Sequence, residues 1–325
     1  MSSTILVTGG AGFIGSAYVR HLLGPDGPRD TAVTVLDKLT YAGSIARLDP
    51  VGAHPGLTFV RGDVCDTELV ASLVAGHDQI VHFAAESHVD RSIEDGGAFA
   101  RTNVLGTQVL LDAALRHGGR TLVHVSTDEV YGSIPRGAAT EHTPLAPSSP
   151  YAASKAAADL LALAYRHTHG LDVRVTRCSN NFGPYQHPEK LVPRFLTALL
   201  DGGTVPLYGD GLQIRDWLYV DDHVRALERV RLAGRPGETY NIGGGTSLTN
   251  LDLTHRLLAL CGAGPERIRT VDDRKGHDRR YAVDHTKITD ELGHHPRGDF
   301  DSDLAATADW YKQHPDWWRP LLTAP

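Results

Sequence analysis

The chain predicts an α/β fold in which a doubly wound parallel sheet carries a smaller, interleaved lobe, and three observations lead there. Strand-sized and helix-sized apolar runs alternate through the first half, the pattern of a parallel sheet covered on both faces. A glycine-rich turn stands between the first strand and the first helix. Acidic and polar residues close one strand after another, at the carboxyl ends where such sheets bind ligands.

The first strand is Thr4-Ile5-Leu6-Val7, β-branched and aliphatic. It breaks into Thr8-Gly9-Gly10-Ala11-Gly12-Phe13-Ile14-Gly15, and apolar residues then recur at helical spacing from Ser16 to Leu23. Amides at that helix start, Phe13 and Ile14 among them, can approach a pyrophosphate. Gly9 suits the tight turn, Gly12 the close approach and Gly15 the packing of helix on strand. Alone, such a pattern is as often a simple turn, and its context decides. The second strand, Val33-Thr34-Val35-Leu36, ends in Asp37, whose carboxylate can accept both hydroxyls of an adenosine ribose and repels a ribose 2′-phosphate. That selects NAD over NADP, with Lys38 as an opposing charge alongside. The third strand, Leu57-Thr58-Phe59-Val60, runs into Gly62-Asp63-Val64, a second acidic loop suited to hydrogen-bond adenine.

Gln79-Ile80-Val81-His82 leads to Ala84-Ala85, Leu122-Val123-His124-Val125 leads to Ser126-Thr127-Asp128-Glu129, and Val173-Arg174-Val175-Thr176 supplies a further strand. Ala98 to Leu115 and Tyr151 to His167 read as helices between them. Residues 1–180 therefore form a Rossmann-type domain for NAD. Beyond Asn180 the alternation fades, and Pro, Gly and aromatic residues thicken in Asn181-Phe182-Gly183-Pro184-Tyr185 and in Pro206-Leu207-Tyr208-Gly209-Asp210-Gly211. Residues 181–325 are expected to build mainly the substrate lobe. Thr239-Tyr240-Asn241-Ile242 suits an edge strand of the sheet, so segments near 215–245 rejoin the first domain.

Composition narrows the function. At 325 residues the chain can bury a sizeable core. No apolar run approaches the length of a bilayer span, and the start Met1-Ser2-Ser3-Thr4 lacks the regions of a signal peptide. A formal charge of −7 argues against non-specific nucleic-acid binding. Cys65, Cys178 and Cys261 have no paired spacing, which speaks against a disulfide framework or a zinc site and suits a reduced, cytoplasmic setting. The 18 histidines, His294-His295 included, lack partners at ligand spacing. They read as solvated surface, and no metal is expected.

The chemistry rests on two pairs. Tyr151 and Lys155 lie four apart on a predicted helix that Pro147-Ser148-Ser149-Pro150 introduces, so both project from one face. A tyrosine of pKa near ~10 is a poor base at neutral pH. A cation about 4 Å away, at an effective dielectric near 20, favours the phenolate by roughly 4 kcal/mol, about three pKa units. The expectation is that Lys155 makes Tyr151 a usable base. Asp128 and Glu129 form the second pair. Successive strand residues point to opposite faces, so both carboxylates can meet one ligand only if the strand has ended by Asp128. Arg215 and Arg274 are the phosphate candidates, because a guanidinium offers forked, permanently charged donors.

The glycine loop, Asp37, Ser126 to Gly132 and Tyr151 to Lys155 together resemble the extended short-chain dehydrogenase/reductase superfamily. The closer resemblance is to its dTDP-glucose 4,6-dehydratases, the RmlB-type enzymes. It covers nearly the whole chain, through Leu39-Thr40-Tyr41-Ala42-Gly43, Ala84-Ala85-Glu86-Ser87-His88-Val89-Asp90-Arg91-Ser92, Asn180-Asn181, Gly183-Pro184-Tyr185-Gln186 and Arg215-Asp216-Trp217. The resemblance implies a three-stage reaction on one sugar with NAD kept bound. Tyr151 would deprotonate the C4 hydroxyl as C4 is oxidised, and Thr127 would hydrogen-bond that oxygen. The C4 ketone makes the C5 proton acidic. Glu129 would then take it, Asp128 would protonate the departing C6 hydroxyl, and hydride would return to C6. Asp128 must hold a proton for this, which needs a pKa raised by burial or by the Glu129 charge, and the pair would titrate together.

By matching segment, the resemblance further implies cofactor contacts at Thr40 and Ser87, and substrate contacts at Ser87, Asn180, Lys190, Leu191, Tyr208, Asn250, His277 and Tyr281. It also implies a homodimer, with the helices Ala98 to Leu115 and Tyr151 to His167 at its interface. Ser44, Phe182 and Lys275 stand where the family often has asparagine, tyrosine and proline, and bear on affinity rather than on the reaction. A 4-epimerase on the same scaffold, or a non-catalytic NAD sensor, remains an alternative. The acid pair argues against both, since neither has a use for it.

Overall fold

The computed structural model describes residues 3–322 apart from 26 and 29, so Met1 and Ser2, on which the reading of the chain's start partly rests, lie outside the described residues. Twelve strands run in chain order: β1 (Ser3–Thr8), β2 (Thr31–Asp37), β3 (Leu57–Arg61), β4 (Gln79–His82), β5 (Thr121–Thr127), β6 (Val173–Cys178), β7 (Asn180–Phe182), β8 (Val205–Tyr208), β9 (Ile214–Tyr219), β10 (Thr239–Ile242), β11 (Thr246–Thr249) and β12 (Ile268–Val271). The α-helices are α1 (Phe13–Leu23), α2 (Thr67–Ala75), α3 (Val89–Glu94), α4 (Gly96–Phe99), α5 (Gly106–Arg116), α6 (Pro150–His169), α7 (Leu191–Leu200), α8 (Val220–Ala233), α9 (Asn250–Leu260), α10 (Thr286–Leu292), α11 (Phe300–Gln313) and α12 (Pro315–Leu322).

Seven strands form one sheet in the order β10-β6-β5-β4-β1-β2-β3, every neighbouring pair parallel. The order reverses between β1 and β4, which opens a crevice at the carboxyl ends of the strands there. One face is covered by α1 and α8, whose Tyr18, Leu22, Val224 and Leu227 pack on Val7, Val33 and Val123; on the other, Val70, Leu110 and Ala162 of α2, α5 and α6 pack on Leu6, Ile80 and Leu122. Strands buried on both sides read as continuous apolar runs, which is why β1, β2 and β5 stand out in the sequence. Thr239–Ile242 does return, as β10 at the β6 edge. Its neighbour β9 goes elsewhere, into a three-stranded sheet with β11 and β7. A second core of Phe182, Phe195, Trp217, Leu257, Tyr311 and Trp318 holds that lobe together.

Two sequence expectations need correction. Ala98 to Leu115 is not one helix: α4 passes through a π-helical segment at Ala100–Leu105 before α5 begins. The wider turn accommodates Asn103, whose buried amide donates to Glu86 O (3.0 Å) and Ser154 Oγ (2.8 Å) and accepts from Glu86 N (2.8 Å). The histidines are also not uniformly solvated, since His82, His124, His223 and His294 are buried. Burial disfavours the imidazolium and holds His124 and His294 near 4. His82 fits because Thr8 and Thr107 hydroxyls flank its two ring nitrogens at 2.7 and 3.0 Å.

Candidate active site

The glycine turn is shaped by close approach. Gly9 has φ +71°, and a Cβ there would stand 2.6 Å from Ala84 N; one on Gly15 would meet Gly9 O at 2.3 Å. Gly12 caps α1 without a side-chain hydrogen bond, so the first amides of that helix, at Phe13 and Ile14, face the cleft unsatisfied by any cap. Open amides and the positive end of the helix dipole suit a diphosphate. Asp37, at the end of β2, is 9% exposed and fixed by Ala11 N to Oδ2 (3.0 Å) and Leu39 N to Oδ1 (2.8 Å). Lys38 turns away from it, its Nζ lying 3.5 Å from Asp63 Oδ2 and 4.0 Å from Glu86 Oε1. The counter-charge considered for Asp37 is thus engaged with other carboxylates. Thr40, Asp63, Val64, Ala84, Ala85 and Ser87 line the same cavity of about 340 Å³, which continues to Thr127, Asp128, Glu129, Tyr151 and Lys155. A donor set of open helix amides with a fixed ribose-facing carboxylate fits a dinucleotide lacking a 2′-phosphate.

At the far end, β5 stops at Thr127 and a 3-10 turn begins at Asp128. Thr127 caps that turn, its Oγ1 accepting from Glu129 N at 3.2 Å. This is the geometry the acid pair requires: beyond the strand, the two carboxylates are released from opposite faces, and both line the cleft. Gly132 closes the turn at φ +69°, where a Cβ would lie 2.2 Å from Ala146 O.

The two acids differ electrostatically. Asp128 is 3% exposed, and burial first, then Glu129 and Asp216, push its pKa well above the ordinary carboxyl value. Burial also raises Glu129, but Arg274, Arg215 and Lys190 pull it back. Of the pair, Asp128 is the member pushed further towards its protonated form.

α6 starts with Ser149 as its cap, Oγ accepting from Ala152 N at 3.1 Å, and with Pro150 in the first turn. It presents Tyr151 and Lys155 to the cleft. Lys155 donates to Val125 O of β5 at 2.8 Å, and burial lowers its pKa to about 8, with Asp159 one turn on opposing that fall. The expectation that Lys155 lowers Tyr151 is not met. Burial, followed by the charges of Glu129, Cys178 and Asp128, holds the phenol well above 10, and Thr127 pulls weakly the other way. The lysine is drawn into the sheet, and two carboxylates face the tyrosine instead.

A second cavity of about 170 Å³ shares Ser87, Glu129, Asn180, Lys190 and Leu191 with the first and extends to Tyr208, Arg215, Asn250, Arg274, His277 and Tyr281. Every catalytic, cofactor-binding and substrate-binding candidate read from the sequence thus lines one continuous cleft. Arg215 is 5% exposed, donates to Asp278 O at 2.9 Å and packs its guanidinium 4.2 Å from the Tyr281 ring centre. Arg274 Nη1 lies 3.6 Å from Asp90 Oδ1, and its buried Nε has no hydrogen-bond partner among the described residues. Lys190 Nζ donates to Ser87 O at 2.7 Å, and His277 Nδ1 lies 2.6 Å from Asp273 Oδ1. Forked cations next to aromatic rings and an amide suit a nucleoside diphosphate.

The sequence reading gave no site role to Asn103, Glu86, His187, Glu189 or Trp217, although Glu86 and Trp217 stand in its matched segments; all but Asn103 line the cleft. Asn103 holds the loop that follows β4. A single asparagine inside an apolar helical run gives no signal of its own. Of the departures, Phe182 is buried against Phe300 and Trp217, and Lys275 is exposed.

The family model described as GDP-mannose 4,6 dehydratase matches residues 6–307. A dTDP-glucose 4,6-dehydratase of Streptomyces antibioticus is 63% identical over 99% of this chain and 96% of its own length. Among solved structures, DesIV of Streptomyces venezuelae, a dTDP-glucose 4,6-dehydratase with NAD bound, superposes with TM-score 0.96 at 58% identity, covering 98% of this chain and 99% of that one. The corresponding enzyme of Bacillus anthracis, in complex with NAD, gives 0.92 at 45% identity over 98% and 100%.

Proposed function

The chain belongs to the GDP-mannose 4,6 dehydratase family, and we propose from this that it converts dTDP-D-glucose to dTDP-4-keto-6-deoxy-D-glucose with NAD as its cofactor. Bound NAD supplies the hydride acceptor and, later in the cycle, the hydride donor. The observation that carries the reading is the acid pair Asp128 and Glu129, released from strand register at the head of the cleft that Tyr151 and Lys155 line. An epimerase needs the tyrosine and lysine but has nothing for two further carboxylates to do.

The residues act in sequence. Tyr151 takes the proton of the sugar C4 hydroxyl while Thr127 holds that oxygen; because burial opposes a free phenolate, the proton passes to Tyr151 only as hydride leaves C4. Once C4 is a ketone, Glu129 removes the C5 proton. Asp128 protonates the C6 hydroxyl, which leaves as water; as C6 takes back the hydride, Glu129, its proton exchanged with solvent, reprotonates C5, and the proton that Tyr151 took balances the one Asp128 gave up. Arg215, Arg274 and Lys190 hold the diphosphate, with Asn180, Leu191, Tyr208, Asn250, His277 and Tyr281 along the nucleotide. Gly9, Gly12, Gly15, Phe13 and Ile14 receive the cofactor diphosphate, Asp37 its ribose, and Asp63 with Val64 its adenine.

The seven-stranded sheet and its helices are the cofactor lobe in this reading, and the segments around β7, β8, β9, β11 and β12 the sugar-nucleotide lobe. The protein acts as a homodimer through α5 and α6. In support, Leu105, just before α5, and Leu160 of α6 are 41% and 59% exposed. No helix among the described residues is long and apolar enough to cross a membrane, and the free cysteines suit the reducing cytoplasm.

Incubation with dTDP-glucose in deuterated water tests the reaction. The expected product is a 4-keto-6-deoxy sugar carrying deuterium at C5. Recovery of a C4 epimer, or of unchanged sugar, overturns the reading.

A further inference from the structure

Arg47 is fully buried in the 3-10 turn Ile45–Val51. Its hydrogen-bond acceptors are all backbone carbonyls: Nε donates to Tyr185 O at 2.9 Å, and Nη1 to Ala11 O at 3.1 Å and Ala42 O at 2.6 Å. No carboxylate lies within ion-pair distance of it among the described residues, unlike Arg177 and Arg231, whose guanidinium groups meet Asp159 and Glu228. Burial lowers its pKa to about 10, so it stays cationic at neutral pH. A buried cation without a counter-ion is costly, and the three carbonyls it gathers come from separate places in the chain.

Each carbonyl belongs to a segment that lines the cleft. Ala11 sits inside the glycine turn, between Gly9 and Gly12. Ala42 is in the loop after β2, where Thr40, Ala42 and Gly43 face the cavity. Tyr185, at the unusual φ of +68°, begins the loop that delivers Gln186, His187, Glu189 and Lys190. The arrangement is reinforced from both sides, since Ser44 N also donates to Ala11 O (3.0 Å) and Arg20 of α1 donates to Arg47 O (2.7 Å). Arg47 itself does not line the cavity.

We propose that Arg47 is a positioning residue for cofactor retention: its guanidinium ties the glycine turn, the ribose-side loop and the substrate-lobe loop into one clasp around the dinucleotide. The planar fork holds Nε and Nη1 in fixed directions towards acceptors on different segments, whereas the three donors of an ammonium share one nitrogen at the end of a flexible stem. The clasp matters for a reaction in which the same cofactor must give back what it took before it can leave. The inference rests on the reading of this cleft as an NAD site.

Arg47→Gln and Arg47→Lys in the full-length protein test it, with two readouts. The first is the rate at which bound dinucleotide is lost from purified holoenzyme, followed by rapid filtration and quantitation of the released cofactor. The second is the split between KM for added NAD and kcat. Loss of charge-assisted hydrogen bonds to all three loops predicts roughly tenfold or faster release for Arg47→Gln. Arg47→Lys should fall between it and the parent, and activity lost on dilution should be recovered by added NAD, so that the defect sits in KM. Unchanged release in a folded variant overturns the proposal. So does a defect confined to kcat, a fall in thermal stability with release unchanged, or insolubility of both variants, which makes Arg47 a folding residue. Parent protein found without NAD instead removes the functional reading itself.

Discussion

Asp128 and Glu129 are neighbours to which we assign opposite tasks, and the electrostatics separate them by what surrounds each. Three cations restrain the rise at Glu129, whereas Asp216 adds to the rise at Asp128. Glu129→Gln should block elimination while C4 oxidation continues, seen as reduced cofactor absorbing near the reduced-nicotinamide band; complete dehydration by that variant removes Glu129 from its role. Asp128→Asn should slow elimination by about 10²–10⁴-fold, the usual worth of a positioned acid, measured as accumulation of reduced cofactor during turnover. The directions also set a pH profile. Glu129 must be ionised, so kcat falls as pH drops through its raised pKa; Asp128 must be protonated and Lys155 cationic, so kcat falls again as pH rises past about 8, where Lys155 loses its charge. A flat kcat profile between pH 5 and about 9 contradicts this assignment. These acids were legible in the sequence because they follow Ser126-Thr127 at a strand end. Arg47 and Asn103 were not, because most of their partners are backbone groups, and backbone groups leave no mark in a sequence. The Tyr151 environment was misjudged for a related reason: helical spacing places Lys155 on the same face but does not say that its ammonium binds the strand beneath.

Two elements set the catalytic geometry, the end of β5 and the start of α6. Strands buried on both faces and amphipathic helices with clear caps were readable, and the predicted Tyr151 to His167 became Pro150–His169 with Ser149 capping. The interruption at Ala100–Leu105 was not, since a π turn keeps the apolar periodicity nearly intact while shifting one residue. Because the Ser149 cap also fixes the turn that carries Tyr151, Ser149→Ala should cost about 1 kcal/mol of stability and lower turnover. Chemical denaturation of the NAD-saturated protein measures the first, and a loss well under that figure means the cap is redundant with Pro150. The β7–β9–β11 sheet escaped sequence reading for another cause: strands of three to six residues with polar ends carry too little periodicity to distinguish them from loops.

At the scale of the molecule, Leu160 of α6 and Leu105, immediately before α5, are exposed. Leu160→Arg should shift sedimentation from dimer to monomer without unfolding the chain; a dimer that survives the added charge places the interface elsewhere. The cleft draws residues from Gly9 through Tyr281, so neither end of the chain carries it alone. β10 sharpens this. It completes the edge of the seven-stranded sheet, yet it is encoded after most of the substrate lobe has begun. During synthesis the amino-terminal sheet therefore stays open at its β6 edge until residue 242 has emerged from the ribosome, with β6 offering unpaired backbone groups in the meantime. The two lobes cannot mature one after the other, and a nascent chain cut short before β10 would be both inert and prone to aggregate.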